Sequence, residues 1–306
     1  MSCKRVLLTG GSGFIGRHCI ADLLARGYEV HATTTRAISS SDGVRWHRTD
    51  LMNGDETTAL LAEIRPDNLL HLAWYAEHGL FWQALENLDW VRASIVLLRA
   101  FIAVDGRRAV FAGSCAEYDW TEGHCREDST PLRPQGLYGV SKHALRLLVE
   151  EAARRAGISC AWGRIFFLYG PDEQPGRLVP SIVRSQLRNE PFACSGGDLR
   201  RDYLYVTDVA SALVALLDSP LEGAVNLGSG HAVSIRAVVE RIVARLGHPE
   251  LVDFAAPAAA QRDVPLVVAD TTRLAAELRW TPRIDIEHGL GLTVDWWRQH
   301  LDAPRA

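Results

Sequence analysis

The chain has 306 residues, of which 47% are hydrophobic and 23% charged, and its formal net charge is −4. That length gives one large domain or two small ones with a sizeable core. The weak net charge argues against an electrostatic nucleic-acid binder, and no apolar run approaches the ~20 residues of a membrane span.

Short apolar runs alternate with longer amphipathic stretches along the first half. Arg5–Thr9 is expected as a strand and Phe14–Arg26 as a helix that Gly27 stops. Glu29–Thr34 reads as the second strand, Thr57–Ile64 as a helix and Asn68–Leu72 as the third strand. Phe81–Val104 has helical periodicity, and Arg108–Ala112 is the fourth strand. Tyr138–Ala156 is a helix closed by Gly157, followed by a strand over Ser159–Phe167. Strands spaced by helices predict an α/β fold, a doubly wound parallel sheet of Rossmann type. Beyond Gly170-Pro171, proline and glycine are denser and the helices shorter, at Val206–Leu217 and Ile235–Leu246. A dinucleotide-binding domain over residues 1–170 and a smaller C-terminal lobe over 171–306 are expected. The alanine-rich stretch Ala255–Ala260 reads as a surface loop.

The cysteines, Cys3, Cys19, Cys115, Cys125, Cys160 and Cys194, form no C-x-x-C pair. Reduced thiols in the cytoplasm fit that scatter better than disulfides or zinc, and no metal site is expected. Met1-Ser2-Cys3-Lys4-Arg5 runs directly into V-L-L-T with no signal-peptide pattern, which again predicts a cytoplasmic protein.

Two segments carry chemistry. Near the amino terminus, T-G-G-S-G-F-I-G places Gly10, Gly13 and Gly16 between a strand and a helix. A turn this tight needs backbone without Cβ, and the helix then offers its free N–H groups to a pyrophosphate. Phe14 and Ile15 lie inside the same turn. An NAD site usually adds an Asp or Glu about 20 residues later for the ribose hydroxyls. The second strand ends instead in H-A-T-T-T-R, so Thr34 and Arg36 are candidates for a 2′-phosphate. NADP(H) is therefore expected in preference to NAD(H).

The second segment, Y-G-V-S-K, puts Tyr138 and Lys142 one helical turn apart on one face. A free phenol has a pKa near ~10 and needs a neighbouring cation to serve as an acid or base at neutral pH. Ser114, where the fourth strand ends, is the expected third member, a hydroxyl for the substrate oxygen.

Taken together these motifs resemble the extended short-chain dehydrogenase/reductases of the nucleotide-sugar epimerase, dehydratase and reductase type. The resemblance continues through Asp50-Leu51, H-L-A-W at His71–Trp74, Asn87 and R-I-F-F-L-Y-G-P at Arg164–Pro171. Later motifs are R-D-Y-L-Y-V-T-D-V-A at Arg201–Ala210, N-L-G-S-G at Asn226–Gly230, Arg262-Asp263 and L-R-W-T-P. It implies that Asp50 and Leu51 meet the adenine. It further implies that Leu72, Ala73, Trp74, Asn87, Ile165 and Phe166 border the cofactor, with Tyr138 and Lys142. A nucleotide-diphosphate sugar is the implied substrate, its diphosphate gripped by Arg201 and Arg262, with Arg177 a further candidate. Guanidinium groups suit phosphate oxygens, although Asp202 and Asp263 are alternative partners for these arginines. The helices 81–104 and 138–156 are similar to the pair that dimerises in that family, so a homodimer is expected.

Departures from the family pattern narrow the reaction. Dehydratases of that family carry Asp and Glu directly after the strand-end hydroxyl. Here Cys115 and Ala116 follow, and Glu117 comes one residue later, which argues against elimination of water. Phe167 stands where many relatives have asparagine, and Trp74 where a small residue is usual, so the sugar pocket should be narrow. Tyr75, Glu77, His78 and Trp82 are candidates for the same side, with packing or surface positions favoured over contact for each. Cys115, Phe167, Trp74 and Ser114 are therefore candidate substrate contacts. Reduction of a nucleotide 4-keto-6-deoxy sugar is expected, 4-epimerisation is the alternative, and a non-catalytic NADP-sensing protein is a third reading.

Overall fold

The computed structural model describes residues 4–36, 43–255 and 264–301. The first half runs β1 (Lys4–Thr9), α1 (Gly16–Ala25), β2 (Tyr28–Thr34), β3 (Val44–Arg48), α2 (Gly54–Ile64) and β4 (Asn68–His71). It continues through α3 (Glu86–Ala103), β5 (Arg108–Ser114), β6 (His124–Cys125), α4 (Leu137–Ala156) and β7 (Ser159–Ile165). The second half begins β8 (Phe167–Tyr169), α5 (Leu178–Arg188), β9 (Phe192–Ala193), β10 (Arg200–Tyr205), α6 (Val206–Leu217) and β11 (Gly223–Leu227). It ends β12 (Ala232–Ser234), α7 (Ile235–Leu246), β13 (Val252–Asp253), β14 (Leu266–Ala269), α8 (Thr272–Ala276) and α9 (Ile286–His300).

Seven parallel strands form the main sheet in the order β11-β7-β5-β4-β1-β2-β3. This is the doubly wound, Rossmann-type sheet that the alternating pattern predicted. Successive side chains of a strand point to opposite faces, so Val6 and Leu8 enter one core while Leu7 enters the other. On the first face they meet α1 and α6, through Cys19, Leu23, Val209 and Leu213. On the second they meet α2, α3 and α4, through Leu61, Leu97, Leu145 and Val149. The strand order reverses between β1 and β4. The crevice beyond their carboxyl ends is where ligands bind in open α/β sheets.

A smaller sheet, β12-β10-β14-β6, with β8 also paired to β10, anchors the second lobe. Helices α5, α7 and α9 close a core around Tyr169, Ile182, Val239, Ile242 and Trp297. The chain crosses residue 170 in both directions: β6 joins the smaller sheet, whereas α6 and β11 return to the larger one.

Several elements differ from expectation. The helix expected from Phe81 begins at Glu86, because the Asn87 amide donates to the carbonyls of Phe81 and Ala84 and ties that stretch into turns. The strand expected over Ser159–Phe167 divides at Phe166, whose N–H donates to Leu227, and Phe167 then pairs with β10. Strand β3 was not expected; V-R-W-H-R alternates apolar and polar over only five residues, and as the sheet's edge it is held through register with β2. Cys3, residues 256–260, Arg262 and Asp263 lie outside the described residues. The five cysteines among the described residues are free and buried. No helix among those residues is long and apolar enough to cross a membrane, and no cluster there could hold a metal ion.

Candidate active site

The glycine turn sits at the reversal point. Gly10 has φ +68°, and a Cβ on it would lie 2.9 Å from the Ala73 backbone nitrogen. A Cβ on Gly16 would lie 2.2 Å from the Gly10 carbonyl oxygen. Bare backbone therefore lets α1 pack on the turn and the turn pack on the end of β4. Gly13 is exposed, flanked by half-buried Phe14 and Ile15. Helix α1 starts with no side-chain cap and no acidic residue in its first turn. Its positive end thus meets neither a capping side chain nor a carboxylate, and this cradle fits a dinucleotide pyrophosphate.

Beyond the turn, the Thr34 hydroxyl contacts Ser12 Oγ at 3.1 Å and accepts the Arg36 N–H at 3.0 Å. Thr34 is buried and Arg36 exposed at the same rim. Asp50 folds its carboxylate onto the Met52 N–H at 2.9 Å, with Leu51 buried beside it.

The end of β4 is held by a buried polar chain. Thr9 Oγ1 meets His71 Nδ1 at 2.7 Å, and His71 Nε2 meets Ser94 Oγ at 2.9 Å. Burial, and then the Lys142 charge, push His71 down to about 3, so its ring is neutral. The same Thr9 oxygen accepts the N–H groups of Leu72 and Ala73. This fixes the 72–74 segment against β1. Trp74 donates its indole N–H to Asn87 Oδ1 at 2.9 Å.

Ser114, Tyr138 and Lys142 converge through the packing of α4 on the turn after β5. A Cβ on Gly139 would lie 2.4 Å from the Ala116 carbonyl oxygen, so only glycine lets the first turn of α4 come this close. Ser114 Oγ accepts the Ala116 N–H at 3.2 Å, and the Ser114 N–H donates to Glu117 Oε1 at 2.9 Å. Lys142 Nζ donates to the Ala112 carbonyl at 2.8 Å, on the strand that ends in Ser114. Tyr138 is half-buried among rings, with centroids of Phe81, Trp82 and Trp74 at 4.9, 5.6 and 6.5 Å. Burial raises its phenol to about 12, and the hydrogen bond with Ser114 pulls the other way. Burial drives Lys142 down to about 7, opposed by the charge of Glu117.

The second lobe closes the far side. Phe167 lies 6.2 Å from Trp120 and 6.0 Å from Tyr203, and the Arg201 guanidinium stands 5.6 Å over its ring. Arg201 donates to the carbonyls of Arg200 and Val264, while the Asp202 carboxylate accepts from Ser229, Gly230 and Ala269. Asp202 is thus turned away from its neighbour. Arg177 lies 5.1 Å over the Phe81 ring, and its charge acts on Tyr138. Cys115 is buried, and burial holds its thiol well above the usual range. Ile165 and Phe166 are buried at the end of β7. Arg262 lies outside the described residues. The rings of Phe81 and Trp120 were not singled out as site residues from the sequence: Phe81 stood at the start of an expected helix and lies in the turns before α3, and Trp120 lies in a short helical turn after β5.

Residues 6–228 match the NAD dependent epimerase/dehydratase family, and the chain belongs to that family of enzymes. It is 28% identical to UDP-glucose 4-epimerase of Streptomyces lividans, over 98% of this chain and 97% of that protein. It is 30% identical to dTDP-6-deoxy-L-talose 4-dehydrogenase (NAD(P)(+)) of Kitasatospora kifunensis, over 99% and 97% respectively. Among solved structures, UDP-glucose 4-epimerase of Thermus thermophilus in complex with NAD superposes with a TM-score of 0.85. That likeness has 28% identity and covers 96% of this chain and 99% of the other.

Proposed function

We propose that the chain is an NADPH-dependent reductase of a nucleotide-linked 4-keto-6-deoxy sugar. The observation that carries this reading is the convergence of Ser114, Tyr138 and Lys142 beside the glycine turn. When bound, NADPH would supply the hydride for carbon four of the sugar. Tyr138 gives its proton to the carbonyl oxygen as general acid, and Ser114 holds the alkoxide developing there. The Lys142 ammonium lowers the cost of the phenolate left behind. The surrounding rings exclude water, which strengthens each of these interactions. Arg201 and Arg177 are proposed to take the diphosphate, and Arg36 a 2′-phosphate.

Arg36, the absence of a carboxylate at the end of β2 and the ring-lined pocket support reduction. The similarity to a 4-dehydrogenase named for NAD(P)(+) supports it too. The NAD-bound UDP-glucose 4-epimerase neighbour favours a second reading, 4-epimerisation by the same three residues. An epimerase must present both faces of its ketosugar to the cofactor, and the rings of Trp82 and Phe167, both packed on Trp120, are proposed to narrow the pocket against that turn. A panel of nucleotide 4-keto-6-deoxy sugars with NADPH separates the readings. Steady NADPH oxidation is expected. Sugar turnover with no net oxidation supports the epimerase, and binding without turnover supports a sensing protein. A homodimer through α3 and α4 is also proposed, on the exposed Leu88, Val140, Leu147 and Leu148. Sedimentation at a single monomer mass overturns that part.

A further inference from the structure

We infer that Trp74 is a positioning residue for Lys142: its indole face holds the ammonium in place and favours the charged form. The Lys142 Nζ lies 3.6 Å from the centroid of the Trp74 ring, well within cation–π range. On another side it donates to the Ala112 carbonyl at 2.8 Å. The ammonium is thus set between a carbonyl of β5 and a π face carried by the segment after β4.

The indole is itself fixed. Its N–H donates to Asn87 Oδ1 at 2.9 Å, and the fully buried Asn87 amide donates to the carbonyls of Phe81 and Ala84 at 2.7 and 2.8 Å. Trp90 stacks on the same indole at 6.2 Å. The ring therefore cannot swing away without losing its hydrogen bond to Asn87 and its stacking on Trp90. A ring free to rotate would give little orientation to a long, flexible lysine side chain.

Titratable groups face this lysine from three elements. On α4, Tyr138 lies one turn earlier. On β4, His71 is neutral and brings no charge. On the turn after β5, Glu117 favours the ammonium. Burial works against the ammonium and is the largest influence on it. The π face is a favourable contact that burial does not weaken, because a desolvated cation–π pair is stronger than an exposed one.

The inference rests on the reading of Lys142 as the partner of Tyr138, but its test does not need turnover. The chain has two lysines, Lys4 and Lys142. Protein labelled with ¹³C at the lysine ε-carbon therefore gives one exposed reference signal and one signal from the site. Trp74→Leu keeps an apolar side chain and removes the π face. Its Lys142 midpoint is expected to fall by ~0.4–1.5 pH units relative to the wild-type chain. Trp74→Phe, which keeps a smaller π face and loses the indole N–H, is expected to restore part of that shift. Trp74→Met gives the same readout if Trp74→Leu does not fold. An unchanged or raised midpoint in the leucine or methionine chain overturns the inference, as does an equal fall in Trp74→Phe. Absence of turnover in the wild-type chain overturns the proposed reaction and leaves this titration readable. Where turnover is measured, the alkaline limb of kcat should move down with the midpoint.

Discussion

Glu117 Oε2 accepts the Arg164 Nε–H at 3.0 Å, and both side chains are almost wholly removed from solvent. The other carboxylate oxygen accepts from the Trp162 indole at 2.7 Å and from the Ser114 N–H at 2.9 Å. Arg164 in turn donates to the Tyr118 hydroxyl, which donates to Asn226. The carboxylate nearest the strand-end serine therefore faces inward and supports that serine from behind. This is the physical content of the one-residue offset in S-C-A-E: the acid lies on the core side of the turn, away from the rings around Tyr138.

Removing that carboxylate strands a buried guanidinium. Glu117→Ala is expected to destabilise the fold by ~3–5 kcal/mol, the usual cost of breaking a buried pair by deleting one partner. Urea unfolding measures it. A loss under about 1 kcal/mol would mean that water or a rearranged side chain satisfies Arg164.

The phenol is proposed to act by proton transfer and not by holding the cofactor. Tyr138→Phe should lower turnover by ~10²–10⁴ while NADPH affinity changes little. Stopped-flow hydride transfer and fluorescence titration of NADPH give the two quantities. Full activity in the phenylalanine chain ends the assignment of Tyr138.

Much of this was legible in the sequence because it is local. The T-G-G-S-G-F-I-G turn and the Tyr138–Lys142 pair depend on local spacing, and they lie between β1 and α1 and on α4. Apolar runs at β1, β4 and β5 gave the sheet for the same reason, since parallel strands buried on both faces read as continuous apolar stretches. What stayed hidden depends on contacts between distant segments. Trp74 looked like a bulky substitution in a sugar pocket. Its ring over Lys142 becomes visible only when the end of β4 and the first turns of α4 are brought together. The Glu117–Arg164 pair joins the turn after β5 to β7, Phe81 reaches Tyr138 from the turns before α3, and Trp120 meets Trp82 and Phe167 from a separate turn.

Cofactor preference is proposed to turn on one exposed side chain. Arg36 stands at the rim beyond Thr34, whose hydroxyl is already engaged by Ser12 and by the Arg36 N–H. Arg36→Ala should cut the preference for NADPH over NADH by on the order of tenfold to a hundredfold, the range for one charge-assisted phosphate contact. Ratios of kcat/KM for the two cofactors provide the check. An unaltered ratio removes the argument for NADP(H).

Glu173 gives a prediction about pH. Its side chain is buried in the loop after β8, and burial raises its carboxyl to about 8, against the opposing pull of Arg177. The folded value lies above the ordinary value of 4.5. The folded state therefore binds more protons than the unfolded state between those values, and stability from the neutral acid is lost as pH rises through the window. His71 acts in the opposite sense below its ordinary 6.5, because its folded value is near 3. A comparison of variants isolates the glutamate. Glu173→Gln should gain on the wild-type chain with increasing pH, by up to ~1.4 kcal/mol per unit between roughly pH 5 and pH 8. Urea midpoints across that range measure the difference. A gap that stays constant with pH would show that Glu173 ionises in the folded protein as easily as in the unfolded one.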